Sequence, residues 1–85
     1  MQKFKPSLQE MNALAALFTA RRYTEAAALA RTMTERFPLH GFGWNALGMV
    51  FQQLGQTADA LIPMQKAAAL APDNADAHYN LGLLL

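Results

Sequence analysis

The sequence predicts an all-α protein built from repeated helix pairs, and three observations indicate this fold class. Two stretches of the 85-residue chain match when one is shifted 34 positions along the other. Apolar residues recur at steps of three and four, which places them on one face of a helix. Proline recurs at the same period, as Pro38 and Pro72, and ends helical stretches. A single repeat of this kind cannot bury its apolar face alone, so neighbouring repeats are expected to stack.

The first helix pair is predicted from its caps and breakers. Residues 1–6 have no periodicity and are expected to form a disordered lead-in. Ser7 is a favourable N-cap, and the apolar stripe that follows predicts a helix to about Ala20. Thr24 is expected to cap the second helix. Pro38 ends that helix, because proline disfavours helical backbone in the residue before it.

The second helix pair follows the same pattern. The third helix is predicted from the apolar stripe that begins at Trp44, with Gly41–Gly43 as a flexible turn before it. Gly55 is a C-cap candidate because glycine tolerates left-handed backbone. The fourth helix is predicted to begin at Thr57 or the next residue. Pro63 leaves two alternatives, a helix that kinks there or a helix that starts later, with Pro63 in its first turn.

Residues 75–85 match the beginning of the second copy and predict a fifth helix. We therefore expect a single domain over residues 7–85. It contains repeats at about 7–40 and 41–74 and a half-repeat at 75–85.

The second copy resembles a tetratricopeptide repeat, whose signature contains tryptophan, leucine-glycine, an aromatic residue, alanine and proline. These positions are met by Trp44, Leu47-Gly48, Phe51, Ala60 and Pro72. The first copy departs from the signature by carrying Ala13-Leu14 at the leucine-glycine position. The resemblance implies about two and a half repeats. It also implies a right-handed superhelical stack of antiparallel helix pairs, with five helices in this chain.

Composition argues against several classes of function. A formal net charge of +1 favours neither nucleic acid nor an anionic membrane as partner. Cysteine is absent, and the two histidines have no neighbouring carboxylates at metal-ligand spacings. We therefore expect no catalytic residue, no cofactor and no metal. No secretion signal is visible, and the apolar runs are too short to span a bilayer, so we expect a cytoplasmic protein.

The resemblance implies that the first helix of each repeat lines a groove that receives a protein or peptide. The predicted function is therefore a binding scaffold without catalytic activity. The groove candidates are the residues off the apolar stripe on the third helix and their equivalents on the fifth. They are Phe42, Asn45, Met49, Gln52, Gln53, Asp76, Tyr79 and Asn80.

The carboxy-terminal sequence suggests two further interpretations. Leucines stand at Leu81, Leu83, Leu84 and Leu85, where a following helix is expected to cover them. The chain is the amino-terminal part of a longer bacterial repeat protein, or a second copy covers these leucines in a homodimer or higher oligomer, and both interpretations can hold together.

An alternative function comes from the Asn80-Leu81-Gly82 sequence. It resembles repeats found on protein O-linked N-acetylglucosaminyltransferases and related bacterial glycosyltransferases, where asparagines line the groove. This likeness suggests an accessory segment of a larger enzyme. Only one copy matches, because Ala46 stands at the position equivalent to Asn80.

Overall fold

The computed structural model describes residues 5–70, together with His78 and Gly82. Residues 5–70 form four helices and contain no strand: α1 (Leu8–Thr19), α2 (Tyr23–Arg36), α3 (Gly41–Gln53) and α4 (Thr57–Leu70). The predicted all-α class is confirmed. The predicted fifth helix lies mostly outside the described residues; within its range His78 and Gly82 are helical.

The start of α1 is fixed by a capping box, as the Ser7 N-cap prediction requires. The Ser7 hydroxyl accepts a hydrogen bond from the Glu10 backbone N–H at 3.1 Å, and the Glu10 carboxylate accepts one from the Ser7 N–H at 3.0 Å. Accepting this N–H and pairing with Arg36 lower the pKa of Glu10 from its ordinary value of 4.5. Pro6, in the predicted lead-in, is buried.

The prediction that Thr24 caps α2 is wrong. The helix begins at Tyr23, so its N-cap residue is Arg22, two positions before Thr24, and Arg22 makes no side-chain capping bond. The preceding turn contains Arg21 in left-handed backbone with φ 62°. Arg22 instead forms an ion pair with Glu25, with Nε and Oε1 2.6 Å apart.

The prediction that Gly41–Gly43 forms a flexible turn is also wrong, because α3 begins at Gly41. The His40 side chain caps it by accepting the Phe42 backbone N–H at 3.3 Å. Gly43 is buried against α2, where an added Cβ would lie 3.0 Å from the Met33 Cβ. Glycine is therefore used here for close helix packing.

Two other features of the second pair agree with the sequence. Gly55 follows α3 with φ 76°, the left-handed geometry expected of a residue just after a helix. The fourth helix starts at Thr57 and continues through the buried Pro63 to Leu70. The alternative that this helix starts later, with Pro63 in its first turn, is therefore wrong, and the kink stays a prediction.

Consecutive helices pack against each other, and α1 also contacts α3. Three-residue turns join α1 to α2 and α3 to α4, so the helices of each pair are antiparallel. The ion pair between Glu10 in the first turn of α1 and Arg36 at the end of α2 agrees with that direction. One core cluster joins α1, α2 and α3. It consists of Leu14, Ala26, Ala30, Met33, Leu47 and Val50.

Candidate functional site

A cavity of ≈ 210 Å³ lies between α1 and α3. Its walls are mainly apolar because both helices present aliphatic and aromatic side chains there. The α1 wall consists of Leu14, Ala15, Phe18 and Thr19, and the α3 wall consists of Phe42, Asn45, Ala46 and Met49. Because α2 packs against both helices, it holds the two walls in place.

Helical spacing explains why these residues share one cavity. Phe42, Asn45 and Met49 lie three and four positions apart on α3, so their side chains occupy one face of that helix. Leu14 and Phe18 are four apart on α1. The two faces meet at the α1–α3 contact.

Asn45 is the most polar residue in the cavity wall. Its Nδ2 donates a long hydrogen bond to the Met49 sulfur at 3.6 Å. Its Oδ1 is buried, and among the described residues no group donates to it. Buried side-chain oxygens nearly always have a partner, so this unpaired acceptor is unusual.

Aromatic rings form one end of the α1 wall. Phe18 packs edge-on against Tyr23 at the start of α2, with ring centroids 5.4 Å apart and an interplanar angle of 67°. Edge-to-face geometry of this kind is favourable for aromatic pairs. Tyr23 therefore helps to fix the position of Phe18.

The structure brings together three of the predicted groove residues, Phe42, Asn45 and Met49. Gln52 is half-buried and Gln53 is exposed in the last turn of α3, and neither lines the cavity. The remaining predictions lie outside the described residues. They are the groove candidates Asp76, Tyr79 and Asn80 and the self-association candidates Leu81, Leu83, Leu84 and Leu85.

Sequence reasoning missed the contribution of α1, although the repeat itself contains the signal. A shift of 34 positions back from Met49, Gln52 and Gln53 gives Ala15, Phe18 and Thr19, and all three line the cavity. By its spacing, Phe18 belongs to the apolar stripe of α1, which predicts a core residue. Equivalent positions in two repeats do not always line the cavity, since Phe18 does and Gln52 does not, and periodicity alone does not distinguish them.

Other site chemistry is limited in the part of the chain that the structure describes. There, no three side chains of histidine, aspartate or glutamate lie close enough together to hold a metal ion. No helix in that part has the length and apolar character needed to cross a membrane.

Comparison with known families agrees with the repeat pattern. A family model described as tetratricopeptide repeat matches residues 12–75 and, in a second placement, residues 45–85. These two matches together span most of the chain and overlap by about one repeat. No curated protein matches the sequence.

Proposed function

The chain belongs to the tetratricopeptide repeat family, and from this premise we propose that it binds a protein partner through the groove between α1 and α3. Members of this family are typically non-catalytic interaction modules. The observation that carries the proposal is the apolar cavity with Asn45 in its wall, placed between the first helices of two successive repeats.

The position of the cavity supports a peptide as partner. First helices of successive repeats lie side by side, so a segment that follows the repeat direction contacts α1 and α3 together. Phe18 and Phe42 supply rigid apolar surface to such a segment, and Met49 supplies adaptable apolar surface. The family relation and the cavity thus both favour the α1–α3 groove as the peptide-binding surface.

We further propose that the binding surface continues beyond α3. Residues 75–85 then supply the fifth helix of a right-handed superhelix within one domain, and Asp76, Tyr79 and Asn80 extend the groove beside Gln52 and Gln53. In this proposal the chain has no catalytic activity. The accessory-segment alternative and the cytoplasmic location stay predictions from the sequence.

The experiment is selection from a random library of phage-displayed peptides on the immobilised chain, followed by affinity measurement with synthetic copies of enriched sequences. Met49→Glu places a charge in the cavity wall and is expected to weaken binding at least about tenfold. The matched control is Ile62→Glu, which adds the same charge at a side chain on α4 that is 62% exposed. Its affinity is expected to stay within about twofold of wild type.

Two outcomes contradict this proposal. One is that no peptide is enriched over an empty support. The other is that enriched peptides lose affinity for Ile62→Glu but not for Met49→Glu, which indicates adhesion to exposed apolar surface. Circular dichroism spectra of both variants establish that each is folded.

Self-association through Leu81, Leu83, Leu84 and Leu85 is a second proposal, which rests on the sequence alone. Its test is solution mass by light scattering over a concentration series for wild type and Leu84→Glu. A wild-type dimer that Leu84→Glu converts to monomer supports it. A monomer at high micromolar concentration contradicts it.

A further inference from the structure

Methionine carries all the sulfur in this chain, because cysteine is absent. Peroxides oxidise the methionine thioether to a sulfoxide, which turns a flexible apolar side chain into a polar one. The oxidant has to reach the sulfur, so burial decides which methionines react. Of the four that the structure describes, Met33 and Met64 are 1% and 0% exposed, whereas Met11 and Met49 are half-buried. Oxidation is therefore directed to Met11 and Met49.

Met49 differs from Met11 in its surroundings. It lines the ≈ 210 Å³ cavity between α1 and α3, and Met11 does not. A water molecule occupies about 30 Å³ of the liquid, and hydrogen peroxide is only slightly larger, so a cavity of this size has room for the oxidant beside Met49. Oxidation of Met49 therefore changes the wall of the candidate binding groove, whereas oxidation of Met11 does not.

Asn45 provides a partner for the oxidised side chain. Its Nδ2 already donates a hydrogen bond to the Met49 sulfur, at 3.6 Å. Thioether sulfur is a weak acceptor, whereas an oxygen bonded to that sulfur is a stronger one within reach of the same N–H. Sulfoxide formation at Met33 or Met64 would instead place a polar group in the core. We therefore expect the chain to stay folded when Met49 is oxidised.

The chemical step consumes one molecule of peroxide for each sulfoxide formed. A lone pair of the thioether sulfur attacks one peroxide oxygen, so that an S–O bond forms and the O–O bond breaks. The proton on the attacked oxygen passes to the leaving hydroxide, which departs as water. Sulfur is oxidised by two electrons and the peroxide is reduced by two. A methionine sulfoxide reductase with a dithiol reverses the change, which yields the thioether, water and a disulfide.

The sulfoxide changes what the groove can hold. Leu14, Phe18 and Phe42 form apolar parts of the wall that Met49 shares. A polar oxygen among them retains water, because an apolar group that displaced this water would leave the oxygen incompletely hydrogen-bonded. The oxidised groove therefore has a lower affinity for apolar side chains.

We propose that Met49 is an oxidation site that regulates the groove: hydrogen peroxide converts it to the sulfoxide and releases the bound peptide, and a reductase restores binding. This inference rests on the proposed function, since it names the regulation of the same surface.

The first measurement maps the reaction without any partner. The chain is exposed to hydrogen peroxide for increasing times, catalase removes the remaining oxidant, and tandem mass spectrometry of proteolytic fragments gives the sulfoxide content at each methionine. Met49 is expected to react at least about tenfold faster than Met33 and Met64, because the oxidant reaches it in the folded chain. Circular dichroism is expected to show the same helix content before and after oxidation of Met49.

The second measurement gives the affinity of the tightest peptide from the library selection, with any methionine in that peptide replaced by norleucine. Wild type and Met49→Leu, which is apolar but has no thioether, are compared before and after peroxide. The affinity of wild type is expected to fall about tenfold, and that of Met49→Leu to change less than about twofold from its own starting value. Met11→Leu is the matched control and is expected to keep the loss seen in wild type. Reductase with dithiothreitol is expected to restore the affinity of oxidised wild type.

The outcomes separate this inference from the proposed function. If Met49 reacts no faster than Met33 and Met64, the inference is overturned and peptide binding stays intact. The same holds if oxidised wild type keeps its affinity, if Met49→Leu loses as much as wild type, or if the loss accompanies a loss of helix content. Failure to select any peptide overturns both the proposed function and its regulation.

Discussion

The two helix pairs carry opposite side chains at the same position of the repeat. The first pair has Leu14 on α1 and Ala30 on α2, whereas the equivalent residues of the second pair are Gly48 on α3 and Met64 on α4. All four are buried. The larger side chain is thus on the first helix in one pair and on the second helix in the other.

The exchange of large and small side chains agrees with the close packing of α4 on α3. A Cβ on Gly48 would lie 2.7 Å from the Met64 Cγ, so the methionine lies directly against the α3 backbone. The second pair is also in more extensive contact than the first. With Leu14 on α1, backbone contact of the same kind is not available to the first pair.

The two pairs also differ in what covers their first helices. Leu47 and Val50 of α3 are buried in the cluster they form with α2. The equivalent residues of α1, Ala13 and Ala16, are exposed. Small side chains at these positions let α1 keep that face in water with little apolar area.

The largest expected effect tests the first pair. Leu14→Ala should lower the free energy of unfolding by about 3 kcal/mol, because it removes a side chain that is 2% exposed and leaves a cavity in the core. The matched control is Leu8→Ala on the same helix, where the leucine is 70% exposed. Its effect should be below about 0.5 kcal/mol. Urea unfolding followed by circular dichroism measures both, and equal losses would contradict the assigned burial.

The next effect tests the exchange of large and small residues in the second pair. Gly48→Leu should cost about 2 kcal/mol, because the new side chain overlaps Met64. Adding Met64→Ala gives the second pair the arrangement of the first and should restore at least about half of the loss. Additive losses in the double variant, measured by the same urea unfolding, would show that the two positions do not compensate each other.

A smaller effect concerns the turns between the helices of each pair. Arg21 and Gly55 are equivalent and share left-handed backbone, with φ 62° and 76°. Gly55→Ala should cost about 1 kcal/mol through backbone strain alone, because no described atom lies within 4 Å of the added Cβ. Arg21→Gly should gain about 0.5 kcal/mol after the entropy cost of glycine. Thermal unfolding measures both, and a loss for Arg21→Gly would indicate that its side chain stabilises the turn.

The smallest effect is a pH dependence confined to the first pair. Because the folded-state pKa of Glu10 is lowered, its contribution is present above its ordinary pKa of 4.5 and is lost as pH falls through the lower folded value. Glu10→Gln keeps an acceptor for the Ser7 N–H but cannot ionise. The difference in melting temperature between wild type and Glu10→Gln should shrink as pH falls from above 4.5 to below it. A constant difference over that range would contradict the role of the carboxylate charge.

Local signals predicted the helices well where they act within one turn of backbone. The Ser7 cap, the end of α2 at Arg36 and the left-handed Gly55 all depend on residues a few positions away. The prediction failed at Gly41–Gly43, which is helical because Gly43 packs on Met33 ten positions earlier. Glycine favours turns locally, and a contact with another helix reversed that preference.

The sequence predicted only part of the candidate site, because the rest depends on contacts between helices that are distant in the chain. Phe42, Asn45 and Met49 follow from helical spacing on α3 and the family resemblance. The α1 wall was missed, because Phe18 has the spacing of a core residue and becomes a groove residue only through the position of α3. The unpaired Asn45 oxygen depends on side-chain packing that no sequence pattern describes.

The sequence by itself determined the repeat, the four described helices and the family, because apolar spacing, caps and proline breakers act over short distances and recur at a fixed period. Tertiary structure decided which equivalent positions are buried, so that Val50 lies in the core and Ala16 in water. It also decided that α1 and α3 enclose a cavity. The physical reason is that burial depends on which helix lies opposite, and that neighbour is supplied by a distant part of the chain.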